Sequence, residues 1–145
     1  MKRLLLLPLL FVVACGGRND ITGPTNTIPN VAGNYRGMTT VTFPELTQTA
    51  SCPTSTSVTQ TGGGNVNIAP LQIQCPTGLL SLPLGPGTID ATGSLGSQTM
   101  TLQETCGTYT ATGSGGFFGR DLRLSMFYVS RTCYNMNITI NLSRS

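Results

Sequence analysis

The chain has 145 residues, with eight Lys and Arg, five Asp and Glu, and no histidine. Its one lysine, Lys2, stands with Arg3 at the amino terminus; beyond them, Arg18, Arg36, Arg120, Arg123, Arg131 and Arg144 nearly balance Asp20, Glu45, Asp90, Glu104 and Asp121. That balance offers no cationic face for nucleic acid, and the missing bases remove the usual activators of a serine or cysteine nucleophile.

In chain order, Met1-Lys2-Arg3 is a short basic start and Leu4 to Val13 an apolar run interrupted by Pro8, followed by Ala14, Cys15, Gly16 and Gly17. A basic n-region, an apolar h-region of about 7–15 residues and a small residue before the cut make a secretory signal. The run is shorter than the roughly 20 apolar residues a membrane-spanning helix needs. Val12-Val13-Ala14-Cys15 resembles the lipobox of bacterial lipoproteins. The resemblance implies a signal peptide of residues 1–14, cleavage before Cys15, and acyl chains on the Cys15 thiol and usually on the new amino terminus. The alternative is an ordinary signal cut elsewhere, with Cys15 incidental. Gly16 stands where some lipoproteins carry an aspartate that retains them at the inner membrane, so the resemblance implies the outer membrane if the host is Gram-negative. Arg18 to Asn30 is rich in Gly, Pro, Thr and Asn and reads as a flexible tether. Residues 15–30 are thus expected to be lipidated cysteine and tether, and residues 31–145 one β domain.

Thr, Ser, Gly and Asn dominate that domain, and no sustained helical period appears in it. Period-two alternation recurs instead. Tyr35, Val41 and Phe43 share a face, as do Leu122, Leu124, Met126 and Tyr128, and again Met136, Ile138, Ile140 and Leu142. Gly62-Gly63-Gly64, Ser94-Leu95-Gly96-Ser97 and Gly115 to Arg120 read as the turns between strands. These signals predict strands near 33–43, 55–61, 65–75, 86–92, 98–106, 108–115, 121–130 and 135–143. Leu79-Leu80-Ser81-Leu82-Pro83-Leu84 fits no strand well and reads as a plug or a crossing segment. The fold class expected is all-β, a small antiparallel up-and-down barrel of about eight strands, because closure removes exposed edges. A two-sheet sandwich is the alternative.

After Cys15 four cysteines remain: Cys52, Cys75, Cys106 and Cys133. An even count in an exported chain implies two disulfides, with three connectivities open. Hairpin register offers a choice. A Gly63-Gly64 loop puts Cys52 opposite Cys75, and a Gly119-Arg120 loop puts Cys106 opposite Cys133, pairing Phe117 with Leu122 and Ala111 with Tyr128. The expectation is Cys52–Cys75 and Cys106–Cys133; the competing set is Cys75–Cys106 with Cys52–Cys133. A metal site is disfavoured, since no Cys-x-x-Cys pair and no histidine is present.

Little else carries chemistry. Glu45, Asp90, Glu104 and Asp121 are the domain's only carboxylates, and sequence cannot bring any two together for glycoside cleavage. The glycine-rich stretches lack a following Lys-Ser/Thr and helix, so they are turns, not phosphate cradles. Phe117 and Phe118 at a Gly-flanked hairpin tip are candidate contacts for a ligand or partner, since alternation would turn one of them outward; the favoured expectation is that both cover a barrel end. No catalytic residue, cofactor or metal is expected. The reading is a non-enzymatic envelope lipoprotein with a structural or interaction role, held to the membrane by its anchor. The alternative, by gross layout, resembles the calycin barrels: a small apolar ligand held in a cavity of about 300 Å³ or more, lined by Tyr35, Met126 and Ile138.

Overall fold

A computed structural model of the protein describes residues 27–145. Cys15 and the expected signal lie outside them. The described chain is built from ten strands and no α-helix: β1 (Gly33–Phe43), β2 (Gln48–Gln60), β3 (Asn65–Ile68), β4 (Leu71–Cys75), β5 (Gly78–Leu82), β6 (Gly85–Thr88), β7 (Ser94–Glu104), β8 (Gly107–Phe118), β9 (Asp121–Ser130) and β10 (Met136–Arg144). All pairings are antiparallel, and the sheet order is β5-β4-β2-β1-β10-β9-β8-β7, with β3 paired to β2 and to β6. The all-β antiparallel expectation therefore holds, and the meander β7-β8-β9-β10 joins the first strand through β1–β10.

The sheet curls around a single apolar interior. Strand residues of one parity fill it: Tyr35, Leu122, Tyr128, Ile138, Ile140 and Leu142 are almost wholly buried. Their alternate neighbours Asn137, Thr139 and Asn141 face solvent, the pattern that period-two alternation dictates for a sheet wet on one side. Buried hydroxyls are matched: Thr54 Oγ1 donates to Thr39 Oγ1 (2.8 Å), Thr56 Oγ1 to the Ala69 carbonyl (2.6 Å), and Tyr35 Oη to the Val31 carbonyl (2.7 Å). Such pairing offsets the desolvation of each group.

Strand direction gives the molecule two ends. The near end holds residues 27–32, the Gly62–Gly64 turn, the 89–93 turn and the β8–β9 hairpin; Ile28 packs on the core there, and Gln60 Nε2 donates to the Pro29 carbonyl (3.0 Å). Both ends of the described chain meet there, where Ser145 N donates to the Asn34 carbonyl (3.0 Å). The far end carries the loops 44–47, 76–77, 105–106 and 131–135. At the near end the Ile89–Leu95 bridge links the segment after β6 to β7, so the curl returns on itself. Toward the far end β5 and the second half of β7 each have one strand neighbour. Closure is thus partial, with a seam between β5 and β7.

Three expectations need correcting. The predicted single strand 65–75 is two, β3 and β4, interrupted at Ala69-Pro70, because Pro70 has no N–H to donate to a ladder. The predicted turn at Ser94–Ser97 lies inside β7; the true turn is Asp90–Gly93. Asp90 Oδ1 accepts from Thr92 N (2.8 Å), Thr92 Oγ1 (2.6 Å) and Ser94 N (3.0 Å), while Gly93 sits at φ 83°. An aspartate organising its own following residues outcompetes a Gly-Ser pair as a turn former. The misfit Leu79–Leu84 stretch supplies β5 itself, with Leu82 fully buried and Leu79 exposed.

Candidate functional site

Cysteine pairing is the first feature the fold settles. Cys52 joins Cys75 and Cys106 joins Cys133, with Cα atoms 4.8 and 5.6 Å apart, inside the range a disulfide requires. The second pair follows directly from a β8–β9 hairpin turning at Gly119-Arg120, in which Phe117 pairs with Leu122 and Ala111 with Tyr128. The first arises by a less direct route. The turn holds three residues, Gly62–Gly64, closed by Thr61 N donating to the Asn65 carbonyl (2.9 Å). That turn alone would put the β2–β3 register one residue off. From Val58↔Ile68 to Thr54↔Ile73, β2 advances four residues and its partner side five. The extra residue at Ala69-Pro70 is a bulge, and it restores the alignment that brings Cys75 to Cys52.

The Phe117-Phe118 pair divides as alternation requires. Phe117 is 2% exposed and meets Tyr35 edge-on, with ring centroids 5.7 Å apart at 63°. Such edge contacts add about 0.5–1.5 kcal/mol beyond area burial. Phe118 is 52% exposed at the near end. The two phenylalanines therefore do not form one contact surface.

The interior is full. Tyr35, Met126 and Ile138 are buried against their neighbours. The hollow bordered by Leu84, Leu95, Leu124 and Met126 has a volume of about 10 Å³, at most the room for one water. Tyr128 Oη points at the sulfur of Met100 (3.3 Å), and burial pushes its hydroxyl pKa far above the usual tyrosine range.

Among the described residues, Asp90, Asp121 and Glu45 each have a structural partner. Asp90 holds its turn, and its pKa is lowered, chiefly by the Thr92 hydroxyl and then by the Ser94 and Thr92 backbone amides. Asp121 pairs with Arg123 (2.9 Å) and accepts from Ser143 Oγ (2.8 Å), which together hold its carboxyl below the usual range; it binds across strands instead of shaping the adjacent turn. Glu45 accepts from Asn135 Nδ2 (2.8 Å), tying the 44–47 loop to the 131–135 loop. Glu104 is exposed at the end of β7. The fold does what sequence could not and places Glu45 and Glu104 at the same end, where both raise the pKa of the Tyr109 hydroxyl, after desolvation as the larger cause. That hydroxyl donates to the Tyr134 carbonyl (2.8 Å). Among the described residues no three His, Cys, Asp or Glu side chains cluster as a metal site would require.

The outward surface, which the sequence marks only by its alternation, also carries exposed apolar side chains. Phe127 and Val129, consecutive outward positions on β9, are 44% and 45% exposed amid hydroxyl and amide side chains. Beside them, Thr108, Thr110, Val129, Arg131 and Thr132 border a shallow hollow of about 630 Å³ at the far end. No known family model matches the chain, and no curated protein matches it at a significant level.

Proposed function

We propose that this is a lipid-anchored protein of a bacterial cell envelope, acylated at Cys15, whose β domain serves a structural or interaction role and performs no catalysis. The observation that carries the reading is cysteine arithmetic. Of five cysteines, four are consumed by the two disulfides, and the fifth is Cys15 of Val12-Val13-Ala14-Cys15. Disulfides belong to oxidising compartments outside the cytoplasm, the destination a lipobox signal serves. Two or more acyl chains, each gaining about 0.8 kcal/mol per buried methylene, hold a protein at a membrane durably where one does not.

On this reading the tether joins the described chain at the near end, and both disulfides lie toward the far end. The filled interior weighs against a calycin-like reading with an apolar ligand inside.

Intact-mass analysis of the membrane fraction tests the proposal. The expected species begins at Cys15 and carries acyl mass, and Cys15→Ala abolishes that mass and the processing. A soluble, unacylated protein cut at another site would reject it.

A further inference from the structure

We infer that the outward face of β9 at the far end is a binding site for an acidic polysaccharide, with Phe127 as stacking platform and Arg131 as carboxylate clamp. The inference goes beyond the anchor reading and does not depend on it.

Around Phe127 and Val129 the outer face is built of hydroxyls and amides, with Arg123 and Asp121 paired to each other further along β9. Register places Thr112 and Asn137 on either side of Phe127, and Thr110 beside Val129. Thr110, Thr112 and Asn137 are exposed and so present donors and acceptors to solvent. Phe127 and Val129 leave two adjoining apolar side chains in water on this face. Two apolar side chains set among hydroxyls and amides make a smaller apolar centre than the aromatic-rich core of a protein interface. A sugar ring matches it better. Its C–H face lies on an aromatic ring, and its rim of hydroxyls needs uncharged hydrogen-bond partners.

The hollow supplies length and charge. It continues from Val129, roughly 7 Å along the strand from Phe127, to Arg131 and Thr132. It is an open surface depression bordered by hydroxyls. Arg131 makes no ion pair among the described residues. Arg131 is the cation bordering this hollow, and a guanidinium recognises a carboxylate through paired N–H donors. An apolar platform, flanking hydroxyls and one unpaired cation together describe a chain of sugars carrying carboxylates.

The test uses the full chain purified from a bacterial host with both disulfides formed. Its affinities for polygalacturonate, neutral dextran and poly-glutamate are compared by calorimetry at two salt concentrations. Polygalacturonate should bind most tightly. Phe127→Ala should weaken polygalacturonate and dextran at least tenfold each, and Phe127→Tyr should restore both. Arg131→Gln should lower polygalacturonate binding to the dextran level and leave dextran unchanged. Both side chains are exposed, and unaltered circular dichroism would confirm that the variants fold. Absence of binding to both polysaccharides overturns the inference. So does poly-glutamate binding equal to polygalacturonate, which would reduce the site to charge attraction, or indifference of polysaccharide binding to Phe127→Ala.

Discussion

Removing the two disulfides one at a time separates loop entropy from packing. The bridges span 23 and 27 residues. On the chain-entropy argument, losing them costs about 3.4 kcal/mol for Cys52–Cys75 and about 3.6 kcal/mol for Cys106–Cys133. Loop length alone thus makes the second bridge marginally the more valuable. Burial reverses that order. Cys52 is wholly buried in the core beneath β2, while Cys106 is exposed at the far-end hairpin. Replacing Cys52 by Ala removes a sulfur from a packed interior and adds about 1 kcal/mol of lost contacts and cavity. The Cys52→Ala/Cys75→Ala variant should therefore lose about 4.5 kcal/mol, and the Cys106→Ala/Cys133→Ala variant about 3.6 kcal/mol. Urea unfolding of the two variants beside the parent, followed by circular dichroism, reads both values. Accessibility gives a second readout, since thiolate attack needs an exposed sulfur. Mild reductant on the folded protein should open Cys106–Cys133 first, leaving Cys52–Cys75 intact on a non-reducing peptide map. An equal loss in both variants, or prior reduction of the buried bridge, would refute the packing argument.

Phe117→Ala should cost about 3–5 kcal/mol by opening the contact with Tyr35, whereas Phe118→Ala should change stability by less than about 0.5 kcal/mol; paired thermal melts decide. Gly93→Ala should destabilise by at least about 2 kcal/mol, because φ is positive there and the new Cβ would run into the Phe117 carbonyl oxygen. Gly62→Ala, with open space around it, should be neutral or slightly stabilising in the same assay. Burial raises the hydroxyl pKa of Tyr128, Tyr35 and Tyr109. The unfolded chain therefore releases these protons first, so their contribution is whole below about pH 10 and is lost as pH climbs through the folded values. The urea midpoint should fall steadily above pH 10, less so in Tyr128→Phe; a flat profile to pH 11.5 would contradict it. Asp90→Ala should speed amide exchange at Thr92 and Ser94 selectively, as measured by hydrogen exchange.

Much of the fold was legible because its information is local. The Ile138–Ile140–Leu142 alternation and the Gly119-Arg120 turn each specify one face and one register, and β8–β9 follows from them residue for residue. The Cys52–Cys75 match was reached through two features that cancel. A turn one residue longer than expected is compensated by the Ala69-Pro70 bulge, and no pairwise rule anticipates either. The Asp90 turn was missed because its signal is a side chain reaching four residues ahead, not a glycine pair. Leu79–Leu84 resisted because an edge strand needs only one ladder, so Pro83 could end it without cost to a second neighbour. Phe127 was placed outward by parity alone. Its setting between Thr112 and Asn137 emerges only from the sheet order.

The β1–β10 ladder joins residues more than a hundred positions apart, as in Tyr35↔Arg144. Until the last strand is available, β1 and β9 both keep an open hydrogen-bonding flank, and Tyr35 lacks part of its cover. Such a topology places the costliest loop closure at the end of assembly and slows it. The hairpins β1–β2 and β7–β8–β9 are local in sequence, whereas joining the two halves of the sheet waits for β10.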